Sequence, residues 1–134
     1  MAEKFKLTIV TPDRQFFDEE VDMVEFNTTE GEIGIYKGHI PLTVIVKPGI
    51  LTITQGENKK HAALHAGFVQ ILPDEVTILA EIIEWPGEIN EERARAAKER
   101  AENRLRSGVG EIDVIRAEIA LRKAIARIHV TEMK

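Results

Sequence analysis

Residues 82–92, with the sequence IIEWPGEINEE, divide this chain of 134 residues into two halves with different hydrophobic patterns. Before Pro86, apolar residues alternate with polar ones or form short β-branched runs that turn residues interrupt. After Asn90, the sequence is rich in Ala, Arg and Glu, and its apolar residues recur at helical spacing. The pattern predicts an α+β fold with a β domain over residues 1–86 and a helical arm over residues 87–134.

The first half has the pattern of an N-terminal antiparallel β-sandwich or flattened barrel, because short apolar runs alternate with Gly, Pro, Asn and Asp turns. One such turn is Lys47-Pro48-Gly49, in which Pro fixes φ and Gly permits a positive φ. The predicted strands cover residues 5–10, 16–17, 21–26, 42–46, 50–54, 61–65, 68–72 and 76–83.

The most glycine-rich segment of the first half is residues 31–42, GEIGIYKGHIPL. Its three glycines and one proline predict a compact loop that crosses between sheets. A phosphate-binding loop is the weaker interpretation, since no Gly-Lys-Ser/Thr and no helical pattern follow. His39 within the segment is more typical of a hydrogen-bonded structural histidine than of a proton relay.

The second half predicts a C-terminal antiparallel hairpin of two helices. Asn90 is a suitable N-cap for the first helix, and residues 107–110, SGVG, end it. The second helix is expected over residues 112–129. Its predicted apolar positions are Ile115, Ile119, Leu121, Ile125 and Ile128. Because faces lined by alanine bury little area, the hairpin is expected to dock weakly and to detach.

Composition and charge exclude several classes of function. The chain has no cysteine, so it has no disulfides or thiolate chemistry. Residues 1–87 carry 7 basic and 14 acidic side chains (net −7), which argues against nucleic-acid binding, whereas residues 88–134 carry 11 and 9 (net +2). No apolar run approaches the roughly 20 residues that span a bilayer, so we expect no direct membrane insertion. His61 and His65 would lie about 13 Å apart on an extended strand, too far to share a metal ion.

The order of these elements, residues 31–42, residues 66–68 (AGF) and the terminal Ala/Arg hairpin together resemble the epsilon subunits of bacterial F-type ATP synthases. The resemblance covers essentially the whole chain. It implies a non-catalytic rotor subunit of the central stalk, at the cytoplasmic face of the bacterial cell membrane, that couples proton flow to ATP synthesis. Its expected partners are the gamma subunit, the c-subunit ring and, when the hairpin extends, the alpha/beta catalytic head, where the helices inhibit ATP hydrolysis.

The resemblance also implies ATP as a regulatory, not an obligatory, ligand. Some members bind ATP through Ile/Leu-Asp-x-x-Arg-Ala at the start of the first helix, and residues 89–94 here read INEERA. Asn90 replaces the acid, and Lys123 replaces an arginine expected on the second helix. The nucleotide-binding residues that the resemblance implies are Glu84, Ile89, Asn90, Arg93, Ala94, Arg100, Lys123 and Arg127. The partner-contacting residues that it implies are Glu32, Tyr36 and His39.

Two alternatives stay open at this point. The arginines of the hairpin are also typical of an ordinary solvated helix surface, and a stand-alone ATP-sensing module would have the same residues without needing an acidic platform. An enzyme is disfavoured because no nucleophile, base and orienting group occur in a recognisable set.

Overall fold

The computed structural model describes residues 3–108 and 110–133, without the side chains of residues 111 and 112. Eight strands come first and two helices follow, after a short 3-10 turn at Pro86–Glu88. The strands are β1 (Phe5–Val10), β2 (Gln15–Val21), β3 (Met23–Thr28), β4 (Gly31–Ile35), β5 (Leu42–Ile45), β6 (Gly49–Gln55), β7 (Asn58–Ile71) and β8 (Glu75–Glu84). The helices are α1 (Glu91–Ser107) and α2 (Glu111–Glu132). Neither helix, over its described residues, is long and apolar enough to cross a membrane.

The strands pair in the order β2-β1-β8-β7-β6-β3-β4, and β5 adds to β7. The pairs are antiparallel except for β1 and β8, which run parallel. Because β2 and β4 remain edges, the sheet is not closed into a barrel. The predicted α+β fold with two C-terminal helices is confirmed. Of the two predicted forms of the β domain, the sandwich is correct and the flattened barrel is not.

Strand β7 is one long strand where the sequence predicts two, at residues 61–65 and 68–72. Its first half pairs with β6 and its second half with β5, and the register with β8 shifts on both sides of Ala66. Gly67 has φ +140°, which only glycine adopts without strain, so the chain bends there without leaving the sheet. The bend lets one strand belong to both layers of the sandwich.

The glycine-rich segment is also partly a strand, which corrects the prediction of a crossing loop. Gly31–Ile35 forms β4 and pairs with β3 at the edge of the sheet. Only residues 36–41 connect it to β5. Alternation is hard to recognise there because an edge strand leaves most of these residues exposed.

The hydrophobic core lies entirely inside the sandwich. Its largest fully buried members are Phe5, Leu7, Ile9, Phe26, Ile35, Leu51, Ile53, Leu64, Ile71 and Ile78. Trp85, the only tryptophan of the chain, packs on this core by stacking on Phe16 at a centroid distance of 4.3 Å. Among the described residues, none from α1 or α2 belongs to this cluster. The core cluster is therefore built from residues outside the two helices.

The helices begin and end near the predicted residues. The Asn90 side chain accepts a hydrogen bond from the Arg93 backbone N–H at 3.0 Å, and Gly108 closes α1 with φ 68°. Helix α2 continues to Glu132, beyond the predicted end, and packs on α1, β6 and β7. The residues buried along the hairpin are mainly alanines, namely Ala94, Ala101, Ala117, Ala124 and Ala126.

The predicted apolar positions of α2 are only partly correct. Ile128 is buried, but Ile115 and Ile119 are 56% and 42% exposed. The side chains that contact the sheet come from the last turns of the helix, which bury Val130 and Thr131. Ile115 and Ile119 lie too early in the helix to reach the sandwich.

We expect Gly67→Ala to lower the free energy of unfolding by about 2 kcal/mol or more, because the residue has a positive φ. In addition, a Cβ there would meet the Leu79 carbonyl oxygen and the Ala80 backbone. Denaturant unfolding measures the change. Gly87→Ala is the control, since nothing lies within 4 Å of a Cβ at that position. Equal stability of the two variants would contradict the role given to the bend.

Candidate functional site

A cavity of about 360 Å³ lies where β8 ends and α1 begins, with α2 closing one side. This volume lies within the range of small-molecule sites, about 300–1,000 Å³. Seven of the eight residues predicted for nucleotide binding line it. The lining residues are Glu84, Glu88, Ile89, Asn90, Arg93, Ala94, Ala96, Ala97, Arg100 and Arg127.

Three elements bring these residues together. Glu84 is the last residue of β8, and the 3-10 turn after it carries the chain to Ile89 and Asn90. On α1, Arg93, Ala97 and Arg100 are separated by four and then three residues, so they share one face of the helix. The antiparallel return of α2 adds Arg127 from the opposite side. Local sequence thus positions most of the lining, and Arg127 depends on the tertiary fold.

The Glu84 carboxylate joins the sheet to α2. Its Oε1 accepts hydrogen bonds from His65 Nε2 at 2.8 Å and from Arg127 Nε at 2.7 Å. Burial of this carboxyl opposes its ionisation, but the two hydrogen bonds outweigh burial and lower the pKa of Glu84. Among the described residues, Arg127–Glu84 is the only ion pair between α2 and a strand.

His65 lies beneath this pair and is fully buried. Burial lowers the pKa of His65 and the nearby charges of Arg127 and Lys123 lower it further, against the opposing effect of the Glu84 carboxylate. The ring is therefore neutral at pH 7, with Nε2–H as the donor to Glu84.

The other charges of the cavity differ in whether they are already paired. Glu88 accepts hydrogen bonds from Arg14 Nη2 at 2.8 Å and from the Trp85 backbone N–H at 2.9 Å, and these lower the pKa of Glu88. Arg93 and Arg100 are exposed, and neither forms an ion pair with any residue that the structure describes. An anion entering the cavity would meet these two unpaired guanidinium groups first.

An apolar surface lies beside the arginines. Ala94 is buried, and Ile89 and Ala97 are half-buried in the lining. A cavity with an apolar part and cations has the chemistry that a nucleotide needs, namely a surface for the base and charges for the phosphates. The residues present therefore fit a nucleotide.

Asn90 has a structural role that leaves its amide group available. Its Oδ1 accepts the Arg93 backbone N–H, so Nδ2 is directed away from the helix end as a donor. An aspartate there would cap the helix similarly but would add a negative charge to the lining.

Lys123 is the one predicted nucleotide-binding residue that does not line the cavity. It precedes Arg127 by one turn of α2 and is half-buried. Its charge acts instead on the neighbouring His65, whose pKa it helps to lower. The structure therefore separates Lys123 from the other seven residues.

The predicted partner-contacting residues lie elsewhere on the sandwich. Glu32 is exposed on β4, and Tyr36 is 55% exposed just after it. The His39 ring Nδ1 lies 2.8 Å from the Ile40 carbonyl oxygen, which fits a structural histidine. The Gly38 backbone N–H donates to the Pro73 carbonyl just before β8, so Gly38 and the cavity lie at opposite ends of that strand, roughly 30 Å apart. Glu32 lies nearer the hairpin, because it lines a second cavity with Arg122 and Ile125 of α2.

Among the side chains that the structure describes, no three His, Cys, Asp or Glu groups converge to form a metal centre. His61 and His65, whose spacing the sequence shows to be too wide for one shared metal ion, have separate partners. His61 Nδ1 is 3.1 Å from the Thr52 hydroxyl oxygen, whereas His65 contacts Glu84.

Sequence reasoning missed two contributors to the site, His65 and Glu88. Glu88 follows Pro86 and Gly87, and a carboxylate just after a Pro-Gly turn is a recognisable candidate for holding that turn. For His65 the only available signal was a histidine among the small apolar residues of a buried strand, because its partner Glu84 is 19 residues away.

Comparisons with known proteins assign both halves of the chain. A family model described as the β-sandwich domain of the ATP synthase delta/epsilon chain matches residues 4–86. A model described as the long α-helix domain of the same chain matches residues 88–132. An ATP synthase epsilon chain of Halalkalibacterium halodurans is 46% identical over 125 residues, which cover 92% of this chain and 94% of the relative. One of Desulforamulus reducens is 45% identical over 132 residues, covering 98% and 100%.

Solved structures with the same fold come from ATP synthases. A chain of the Euglena gracilis mitochondrial ATP synthase, from a structure of its OSCP/F1/c-ring, matches with a TM-score of 0.80 and 27% identity over 97% of this chain and 80% of its own length. A chain from the central stalk and c-ring of the Tetrahymena thermophila enzyme matches with a TM-score of 0.58, covering 98% of this chain and 96% of its own length. At 13% identity, the second likeness shows the fold alone.

Buried neutral His65 predicts a stability that depends on pH. In the unfolded chain the imidazole takes up a proton near its ordinary pKa of 6.5, whereas in the folded chain it does so only at lower pH. Between these two values the unfolded chain binds the extra proton, so acidification favours unfolding by up to about 1.4 kcal/mol per pH unit. Denaturant unfolding of the wild type from pH 7.5 to 5 should show this loss.

His65→Gln retains an N–H donor for Glu84 but does not titrate, so its stability should change less over the same range. Glu84 affects stability in a separate pH range. Because its pKa is lowered from the ordinary value of 4.5, the ionised carboxyl stabilises the fold above that value, and this stability is lost as the pH falls below it. Parallel pH profiles of wild type and His65→Gln above pH 5 would contradict the assignment.

Proposed function

Since this chain belongs to the delta/epsilon family of ATP synthase subunits, we propose that it is the central-stalk subunit that restrains ATP hydrolysis with its helical hairpin. The sandwich binds the gamma subunit and the c-subunit ring at the cytoplasmic face of the bacterial cell membrane. The subunit supplies no catalytic group and transmits rotation that couples proton flow to ATP synthesis. The folded hairpin permits rotation, and the hairpin extended toward the alpha/beta catalytic head hinders hydrolysis.

The observation that supports this function most is that the core cluster of the sandwich contains no residue from the described parts of the helices. Helix α2 is held to the sheet by a few apolar residues of its last turns and by the Arg127–Glu84 pair. Partly buried ion pairs add little net stability, because desolvation offsets their attraction. The hairpin can therefore leave the sandwich while the core stays folded.

ATP is the ligand that we propose for this cavity. Arg93 and Arg100 are unpaired among the described residues and face the same cavity as Arg127. Asn90 in place of an acid leaves that cavity with one negative charge fewer, which favours a polyphosphate. Binding there stabilises the folded hairpin, because α1 and α2 both contribute to the lining.

The size of the effect makes ATP a modulator of the hairpin. At 100 times its dissociation constant, a ligand stabilises the state that binds it by about 2.7 kcal/mol. Moving a two-state equilibrium almost completely takes about 5.5 kcal/mol. Contacts of the hairpin with the gamma subunit or the catalytic head must supply the difference.

The partner-contacting surface is proposed at residues 32–39, on the acidic sandwich. Its Tyr36 and His39 end lies away from the nucleotide cavity, whereas Glu32 lines a second cavity with α2. Rotor contacts through Tyr36 and His39 can therefore persist while the hairpin changes position. The alternative function is a stand-alone ATP-sensing module. Binding to a purified gamma subunit distinguishes the two, because only a rotor subunit requires it.

We expect Arg93→Ala and Arg100→Ala each to raise the dissociation constant for ATP about tenfold or more, because a charge-assisted hydrogen bond contributes about 1.5–3 kcal/mol. Isothermal titration calorimetry on the full chain measures this. Arg104→Ala removes the same charge from α1 outside the cavity and should leave the constant nearly unchanged, and Lys123→Ala should act less than Arg100→Ala. Absence of binding by the wild type at millimolar ATP would end the nucleotide proposal.

Deletion of residues 90–134 should leave an assembled complex that still couples proton flow to ATP synthesis but hydrolyses ATP faster than the complex with the full chain. The sandwich retains its core in this variant, so assembly should survive. Hydrolysis and proton-driven synthesis are measured on the same membrane preparation, with the full-length chain as the control. Unchanged hydrolysis after deletion would refute the inhibitory role.

A further inference from the structure

His65 is the only fully buried titratable side chain among those that the structure describes. Its Nε2 lies 2.8 Å from Glu84 Oε1. Its Nδ1 is buried and has no hydrogen-bond partner among the residues that the structure describes. A neutral ring needs only one donor, so this geometry suits it. A protonated ring would carry a second N–H at Nδ1, which is buried where none of the described residues offers an acceptor.

The charges around His65 come from two elements. Strand β8 contributes Glu84, whereas Glu75 and Glu81 of the same strand are exposed at the surface. Helix α2 contributes Arg127 and Lys123.

The other elements packed on β7 add no free charge beside the ring. Strands β5 and β6 contain no charged residue. Glu88 of the 3-10 turn is bound by Arg14. On β7 itself, Lys59 and Lys60 are exposed, and His61 is bonded to Thr52. The buried imidazole therefore has one anion and two cations as its neighbours.

An anion in the cavity changes this balance. Arg127 lines the cavity and uses Nε for Glu84, and its two terminal nitrogens donate to no residue that the structure describes. A phosphate bound to those nitrogens adds negative charge that offsets the effect of Arg127 on His65. This change favours the protonated ring.

We propose that polyphosphate binding in this cavity is coupled to uptake of a proton by His65, so that affinity increases as the pH falls from 7.5 to 5.5. This inference rests on the nucleotide role proposed above and adds a regulation to it. Linkage requires the converse, so acidification favours the ligand-bound form over the ligand-free folded form. The largest possible effect of one proton is about tenfold in affinity per pH unit.

Calorimetry with ATP on the full chain at pH 7.5, 6.5 and 5.5 tests this, each in two buffers of different ionisation enthalpy to count protons. The comparison is with His65→Gln, which retains the donor to Glu84 and does not titrate. The control is His61→Gln, on the same strand but outside the cavity lining. Protonation of ATP itself is common to all three proteins and cancels in their ratio.

On binding ATP, the wild type should take up more protons than His65→Gln, by at most about one. The ratio of the wild-type affinity to the variant affinity should rise about threefold or more from pH 7.5 to 5.5. His61→Gln should match the wild type. The same pH dependence in wild type and His65→Gln would overturn the proton linkage alone. Absence of ATP binding by the wild type at every pH would overturn both the linkage and the nucleotide role.

Histidine titration by NMR keeps the proposal falsifiable even if His65→Gln does not fold. In the unmodified chain, the pKa of His65 should rise when ATP saturates the protein. A His65 pKa that does not move on saturation would overturn the proton linkage.

Discussion

The Glu84 carboxylate is the point on which the attachment of the helical hairpin depends. It ends the last strand, accepts hydrogen bonds from a buried histidine of the neighbouring strand and from an arginine of α2, and lines the cavity between them. One oxygen, Oε1, thus connects the sheet, the helix and the candidate ligand site. A change in charge at any of the three alters the electrostatic energy of the other two, because the Glu84 carboxylate is shielded from water on the side of the sheet.

The rest of the attachment of the hairpin is made mainly by small side chains. Alanines let α1 and α2 approach closely, but each buries little apolar area. The large apolar side chains are concentrated in the sandwich, whose core contains no helix residue among those described. Most of the buried apolar area therefore belongs to the platform. The proposed regulatory role requires that the hairpin docks weakly, since a small ligand can bias only an equilibrium that is already nearly balanced.

Much of the architecture could be predicted from local pattern. The alternation in β1, the Asn90 cap and the Gly108 end of α1 are short-range features, and the structure agrees with them. The errors have long-range causes. The sequence pattern predicts two strands in place of β7, because Gly67 is typical of a turn. The pairing of β7 with β5, β6 and β8 shows that the strand continues. Ile115 and Ile119 are apolar positions at helical spacing and yet exposed, because that spacing does not tell how far along its length a helix docks.

The sequence by itself determined the two halves, the element order and most of the cavity, since Glu84 to Arg100 are close along the chain and one turn and one helix suffice to place them. Tertiary structure decided which charges are free. It paired Arg127 with Glu84 and Glu88 with Arg14, left Arg93 and Arg100 available, and moved Lys123 out of the lining. It also buried His65 beneath the carboxylate. These outcomes depend on distances between residues far apart in the chain, which no local pattern encodes, because a charge has its chemical role only through its neighbours in space.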